Sequence, residues 1–232
     1  MKDKKRNTVK ASFKATLPVL AGYIVLGMGF GIVLESKGYG VLWSFAMSLL
    51  IYAGSLQYLA IDLLSAGASL IATALTTLMV NARHLFYGIS AAEKYRGVGK
   101  KKPYMIFALT DETYSLVCGG ETPENVDKKD YYFLISLFDH VYWVTGSVAG
   151  SLMGRVLPFS TEGVDFALTA LFVTIFTEQW LSNKDHTAAI IGVASSVVCL
   201  IVFGATGFLI PSMVSISLLL TAVRFWERRH TK

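Results

Sequence analysis

Hydrophobic positions along this chain run in blocks, with the polar positions gathered between them. Eight blocks stand at about 16–34, 41–64, 66–90, 104–118, 131–153, 164–182, 186–203 and 206–223. A bilayer is crossed by ~20 consecutive apolar residues in one helix. The blocks therefore predict an all-α, polytopic integral membrane helix bundle with six to eight hydrophobic segments. The fourth block is short and holds Asp111 and Glu112, so it does not read as a plain lipid-spanning helix. Composition agrees with the pattern: 53% of residues are hydrophobic, 16% are charged and mean hydropathy is +0.52. A soluble domain carries about a quarter charged residues.

Charge placement changes the picture from a set of helices to a topology. The net charge is +5. The basic residues gather at the N-terminus (Lys2, Lys4, Lys5, Arg6, Lys10, Lys14), in EKYRGVGKKK at 93–102 and in the C-terminal RFWERRHTK. All three flank apolar blocks, which the positive-inside rule explains without nucleic acid. The basic head followed by an apolar block resembles a signal peptide. The block is long for one and no A-x-A-like site follows, so a retained first helix is expected.

Both termini are then expected on the cytoplasmic side of the cytoplasmic membrane, in a multi-pass protein with an even number of crossings. Three full crossings before residue 93 would put the second basic patch outside. Two arrangements remain. Eight true crossings breach the charge rule once. Alternatively, residues 41–90 contain broken or re-entrant helices that cross once in net, and 104–118 is re-entrant or interfacial. That gives six crossings, with 91–130 on the cytoplasmic side. The break points on offer are Ala53-Gly54-Ser55, Gly67 and the Asn81 region.

The polar stretch GGETPENVDKKD at 119–130 divides one membrane domain into a front half, 1–118, and a back half, 131–232. Gly27 and Gly31, and likewise Gly146, Gly150 and Gly154, recur at four-residue spacing and predict close helix packing. Pro211 predicts a kink or an unwound site in the last block. Cys118 and Cys199 carry no metal or disulfide spacing and read as small buried hydrophobes.

Candidate chemistry lies in polar residues that interrupt apolar runs. On a continuous helix Thr73, Thr77, Asn81, His84 and Gly88 share a face, and Arg83 lies beside it. Either Arg83 snorkels to headgroups at the membrane surface, or Arg83 and the neighbouring amides meet a polar substrate. Asp111 and Glu112 are adjacent, so on a helix they point about 100° apart to different partners. One could pair with Arg83, and the other could bind an amine or carry a proton; a solvated interfacial helix is the alternative. Asp139 shares the glycine seam of the fifth block, Glu178 and Gln179 interrupt the sixth, and Gln57 lies among Ala53, Gly54 and Ala60. Each alone could be an interhelical hydrogen bond; five such clusters suggest a polar pathway. No H-E-x-x-H, G-x-S-x-G or P-loop motif occurs, so the sequence offers no metal centre, cofactor site or enzyme active site.

YAGSLQ (52–57), NARHLFYG (81–88), ALTDETY (108–114) and FTEQW (176–180), in this order, resemble the blocks of the AzlC family of bacterial branched-chain amino acid permeases. The resemblance implies a secondary transporter that exports branched-chain amino acids across the cytoplasmic membrane. It also implies proton-driven exchange and a small AzlD-like membrane partner. A zwitterion needs a donor for its carboxylate and an acceptor for its ammonium. Arg83 with Asn81 suits the first, helped by backbone amides near Gly54, Ser55 and Gln57. Asp111 or Glu112 suits the second, with Tyr58, Phe86 and Trp143 shaping an apolar slot. His84, Asp139 and Glu178 are the candidates for proton coupling, because such coupling needs a group that titrates within the membrane. A channel or facilitator for a small polar solute, or a non-transporting subunit of a membrane complex, are the competing readings.

Overall fold

The computed structural model describes residues 2–81, 83–119, 122–156, 173, 176–177, 180–181 and 185–230. Every regular element among them is helical. The chain forms two compact units, Met1–Thr169 and Ala170–Lys232.

The first unit is built on two long helices, α1 (Lys2–Ser36) and, later in the chain, α8 (Lys128–Val156). They run parallel and in constant register. The hydrogen bonds Asp127 N to Thr8 Oγ1 (3.0 Å) and Ser12 Oγ to the Tyr131 carbonyl (3.3 Å) both join residues 119 positions apart. The far ends meet through Glu35, whose carboxylate accepts from Ser151 Oγ at 2.6 Å and lies 3.5 Å from Arg155. Between these points the two glycine seams interlock. A Cβ on Gly27 would lie 2.9 Å from the Ser147 amide nitrogen, and one on Gly146 2.8 Å from the Ile24 carbonyl oxygen. Gly31 faces Ser147 and Gly150 faces Met28 still more closely. Both helices carry the same local pattern, Tyr23-x-Val25-x-Gly27-x-x-x-Gly31 and Tyr142-x-Val144-x-Gly146-x-x-x-Gly150. The glycines therefore pack backbones together, as their spacing predicts.

The expectation that the first helix begins near residue 16 is corrected: α1 starts at Lys2 and passes through the basic head. Thr8, Ser12 and Thr16 recur every four residues and are buried. That small polar face docks on α8 and leaves Lys4, Lys5, Lys10 and Lys14 outside, so tertiary packing extends the helix beyond the apolar block.

Blocks 41–64 and 66–90 each divide in two: α2 (Val41–Leu50) and α3 (Gly54–Ser65), then α4 (Leu70–Val80) and α5 (Arg83–Ala91). Helices of 9 to 12 residues rise about 14–18 Å, near half the ~30 Å hydrocarbon core. The breaks fall at the three places the sequence offered. Tyr52 takes a positive φ of 45° and Ala53 is extended. Gly67 takes φ 60° between α3 and α4, where Ser69 Oγ caps the next helix by accepting from Ala72 N at 3.2 Å. Asn81 ends α4 with ψ near 2°. The shared polar face expected for Thr73 through Gly88 is accordingly interrupted there, since α5 starts a new helix.

The fourth block is α6 (Lys102–Phe107), α7 (Asp111–Tyr114) and a π-helical turn, Ser115–Gly119. These pieces form a second core around Tyr95, Met105, Val117, Tyr131 and Ile135, closed by Ala11 and Ala15 of α1. Lys101 Nζ sits 2.6 Å from Asp130 Oδ1 and 4.7 Å from the Phe133 ring centre. The basic head, the 93–102 patch and residues 127–130 thus gather at the end where α1 and α8 begin.

The second unit contains α9 (Thr187–Gly207) and α10 (Leu209–His230). Pro211 does not kink α10. It stands in the first turn, where a missing amide hydrogen costs nothing and a fixed φ suits the helix start. The distortion lies upstream at Gly204, with φ 70°. Cys199 is buried, as expected, with Sγ 4.0 Å from Ser215 Oγ; Cys118 is only partly covered, beside the tyrosine-rich core. Among the described residues, Asp3–Ser36 and Thr187–Gly204 are long and apolar enough to cross a membrane.

Candidate functional site

The helix breaks at Ala53 and Asn81 bring two chain reversals together with α7. Arg83, the first residue of α5, forms an ion pair from Nη1 to Asp111 Oδ2 and donates from Nη2 to Ser55 Oγ at 3.0 Å. Ser55 belongs to the first turn of α3, whose N-cap Ala53 offers no side-chain cap. The early amides of that helix therefore have no intrahelical acceptor. The arginine and aspartate side chains are 34% and 24% exposed, so the pair is reachable. Arg83 Nε and Asn81 Oδ1 are both buried, and neither has a hydrogen-bond partner among the described residues. Serine, guanidinium and carboxylate thus present a donor–acceptor cluster with unused capacity.

His84 stands beside this cluster. Its Nδ1 lies 3.2 Å from the Asn81 carbonyl and its ring meets Tyr87 edge-on at 5.8 Å.

Glu112 turns the other way, as adjacent residues on a helical turn must. Its Oε2 lies 2.6 Å from Tyr23 Oη of α1, and Tyr23 Oη lies 2.7 Å from Thr110 Oγ1. Thr110 is the N-cap of α7 and accepts from Thr113 N at 3.3 Å. Its Oγ1 also donates to Thr113 Oγ1 at 3.1 Å, and Thr113 Oγ1 donates to Asp139 Oδ2 at 2.8 Å. Asp139 is fully buried on α8, and its Oδ1 has no partner among the described residues. One turn, Thr110–Thr113, thus holds Asp111 toward Arg83 and connects Glu112 to Asp139.

Gln57 is fully buried and its carbonyl and amide nitrogen are both engaged: Oε1 accepts from Trp143 Nε1 at 2.9 Å and Nε2 donates to Ser48 Oγ at 3.1 Å. It locks Trp143 in place. Gly54 makes room for that indole, since a Cβ there would lie 3.0 Å from it. Tyr58 and Trp143 are buried with Phe30 in an aromatic cluster, and Tyr58 Oη donates to the Leu26 carbonyl at 2.7 Å. These two form a wall under α1, not an open slot. His140, next to Asp139, lies 3.0 Å through Nδ1 from Tyr104 Oη, and its ring centre lies 4.2 Å from that of Tyr52. The side chain of Phe86, and Glu178 and Gln179, lie outside the described part of the structure.

Of the residues singled out in the sequence, Ser55, Arg83 and Asp111 meet directly. Glu112 and Asp139 are joined through Tyr23, Thr110 and Thr113, which sequence reasoning passed over. Their signal was available but weak. Tyr23 sits one helical turn before Gly27 on the packing seam, and Thr110 and Thr113 bracket the two carboxylates as a cap and its third residue.

Comparison with known proteins places this chain in a family. The family model for AzlC protein matches residues 18–157. The chain is 43% identical to the "Branched-chain amino acid transport protein AzlC" of Bacillus subtilis, over 95% of this chain and 88% of that protein. It is 45% identical to an "Uncharacterized membrane protein" of Haemophilus influenzae, over 91% of this chain and 87% of the other. The "Inner membrane protein YgaZ" of Escherichia coli is 28% identical over 92% of this chain and 90% of its own length. No solved structure matches. The matched family segment runs from α1 to the end of α8 and takes in the whole Ser55–Arg83–Asp111 cluster, and the chain belongs to the AzlC family.

Proposed function

We propose that this chain is a secondary transporter that exports branched-chain amino acids across the cytoplasmic membrane in exchange for protons, together with a small AzlD-type membrane partner. The observation that carries the reading is the Ser55–Arg83–Asp111 cluster at two helix breaks, with Arg83 Nε unused. A guanidinium binds a carboxylate with two parallel hydrogen bonds, and a carboxylate beside it accepts from an ammonium. The resting ion pair holds both groups in place until a zwitterion divides them. Half-length helices whose ends meet at a polar cluster are how transporters expose backbone within a membrane. The transport name of the Bacillus subtilis relative supports the substrate class.

The test is leucine efflux from preloaded inverted and right-side-out vesicles, with and without the partner and with and without a proton gradient. Saturable, gradient-driven outward movement that needs both chains is expected. Flux that only runs downhill and does not saturate would favour a facilitator, and transport by the partner alone would make this chain an accessory subunit.

The grouping of the basic head, residues 93–102 and 127–130 at one end of α1 and α8 supports six net crossings with 91–130 in the cytoplasm. A single reporter cysteine, Lys101→Cys, in an otherwise cysteine-free chain is expected to react with membrane-impermeant maleimide only in inverted vesicles. Labelling in intact cells would overturn that topology.

A further inference from the structure

The chain from Glu112 to Asp139 contains five groups and four contacts: Glu112 to Tyr23 (2.6 Å), Tyr23 to Thr110 (2.7 Å), Thr110 to Thr113 (3.1 Å) and Thr113 to Asp139 (2.8 Å). Each contact needs one hydrogen between its oxygens. The three hydroxyls supply three. With both carboxylates ionised, Tyr23 and Thr113 each donate outward to a carboxylate, and Thr110 can donate to only one neighbour. One pair of oxygens would then face each other with no hydrogen between them, in a buried place where an unmade hydrogen bond is costly. A fourth hydrogen on Glu112 fills all four contacts in the direction in which Thr110 donates to Thr113, and one on Asp139 fills them once that contact reverses.

We infer that Glu112 and Asp139 share one proton, and that Tyr23, Thr110 and Thr113 relay it between them. The transfer balances at every oxygen. Asp139 releases its proton to Thr113 Oγ1, the Thr113 hydrogen passes to Thr110 Oγ1, the Thr110 hydrogen to Tyr23 Oη, and the Tyr23 hydrogen to Glu112 Oε2. Each hydroxyl keeps one hydrogen and reverses its direction; Asp139 ends as a carboxylate and Glu112 as an acid.

The two ends meet different surroundings. Glu112 follows Asp111, whose charge acts on it, and Asp111 is in turn paired with Arg83. Asp139 is enclosed on α8, with Tyr104 nearby and His140 next in sequence, while Tyr52 stands near both carboxylates and Tyr23. An ammonium arriving at Asp111 puts a positive charge beside Glu112 and drives the shared proton toward Asp139; its departure draws the proton back. Tyr23, Thr110 and Thr113 carry the proton in this scheme, and the scheme rests on the proton-exchange reading of the transporter.

The experiment has two arms on the chain co-expressed with its partner. In the first, infrared difference spectra are recorded on wild type, Glu112→Gln and Asp139→Asn. One carboxylic-acid C=O band is expected in wild type, sensitive to both substitutions. No acid band, or a band indifferent to both, would overturn the shared proton. In the second, leucine-driven proton movement and leucine–leucine exchange are measured in vesicles for Thr113→Val, Thr113→Ser and Tyr23→Phe.

Thr113→Val and Tyr23→Phe are expected to keep exchange within about two-fold of wild type and to lose at least ten-fold in coupled proton movement, with Thr113→Ser restoring it. Coupling that survives both Thr113→Val and Tyr23→Phe would overturn the relay. Wild-type vesicles that carry leucine without moving protons would instead contradict the exchange reading, and the infrared arm would still decide where the proton sits.

Discussion

Arg83→Ala is expected to lower leucine transport at least about 100-fold with normal protein levels in the membrane. Removing one charged partner from a desolvated contact costs about 2–5 kcal/mol of binding. Here the loss falls on a group with two roles. Two of its N–H donors, on Nη1 and Nη2, hold Asp111 and Ser55, and the rest, Nε among them, are the donors proposed for a substrate carboxylate. Arg83→Lys is expected to recover little, because an ammonium cannot present the parallel pair of donors that a guanidinium does.

The partner substitution Asp111→Asn should weaken leucine binding without unfolding the protein, since the amide retains an acceptor for Arg83. A charge swap, Arg83→Asp with Asp111→Arg, separates a structural ion pair from a substrate site. A pair that only fixes α5 against α7 would function again after the swap. A pair that reads a zwitterion would not, because each charge then stands against the wrong side of its neighbours Ser55 and the α3 amides. Transport by wild-type and swapped proteins in the same vesicles measures this.

The second large effect is one of assembly. Gly150→Leu is expected to prevent the chain from accumulating in the membrane, whereas Gly22→Leu should be tolerated. Typical overpacking of a core costs about 1–3 kcal/mol, because side chains can shift. At Gly150 the first obstacle is backbone: a Cβ would collide with the Met28 carbonyl and Cα. Relief requires separating α1 from α8 along the whole register from Thr8 to Glu35. A lipid environment supplies no hydrophobic drive to offset that separation. At Gly22, on α1, a Cβ would have nothing within 4 Å. Membrane levels of the two variants, read by a C-terminal reporter, give the comparison.

The contrast between these residues marks what was legible in the sequence. The glycine seams were readable because backbone contact leaves a mark at a fixed spacing, and the helix breaks because Gly67 and the Ala53-Gly54-Ser55 run advertise lost helix. The different directions of the Asp111 and Glu112 carboxylates followed from the geometry of one helical turn. The long N-terminal extension of α1 was not legible. Its lysines hide a Thr8–Ser12–Thr16 face whose burial depends on α8, far away in sequence. Gln57 resembles a substrate group because an amide in an apolar run is unusual, yet Trp143 and Ser48 account for its polar atoms. Pro211 resembles a kink because the position where α10 begins, two residues before it, carries no polar or capping residue to announce a start. Tyr23 gave only a weak signal for a related reason: an aromatic on a packing face is ordinary until a carboxylate arrives from another element.

The central claim is that Arg83 and Asp111 form the receptor for a zwitterion and not an internal tie between helices. Calorimetric binding of leucine to the purified chain, with the proposed small partner, for wild type, Arg83→Ala and Asp111→Asn, addresses it most directly. The expected result is a saturable heat for wild type that Arg83→Ala removes and Asp111→Asn weakens, with N-acetyl-leucine and leucinamide binding to none of the three. Leucine affinity left unchanged by either substitution in a folded protein would contradict the account.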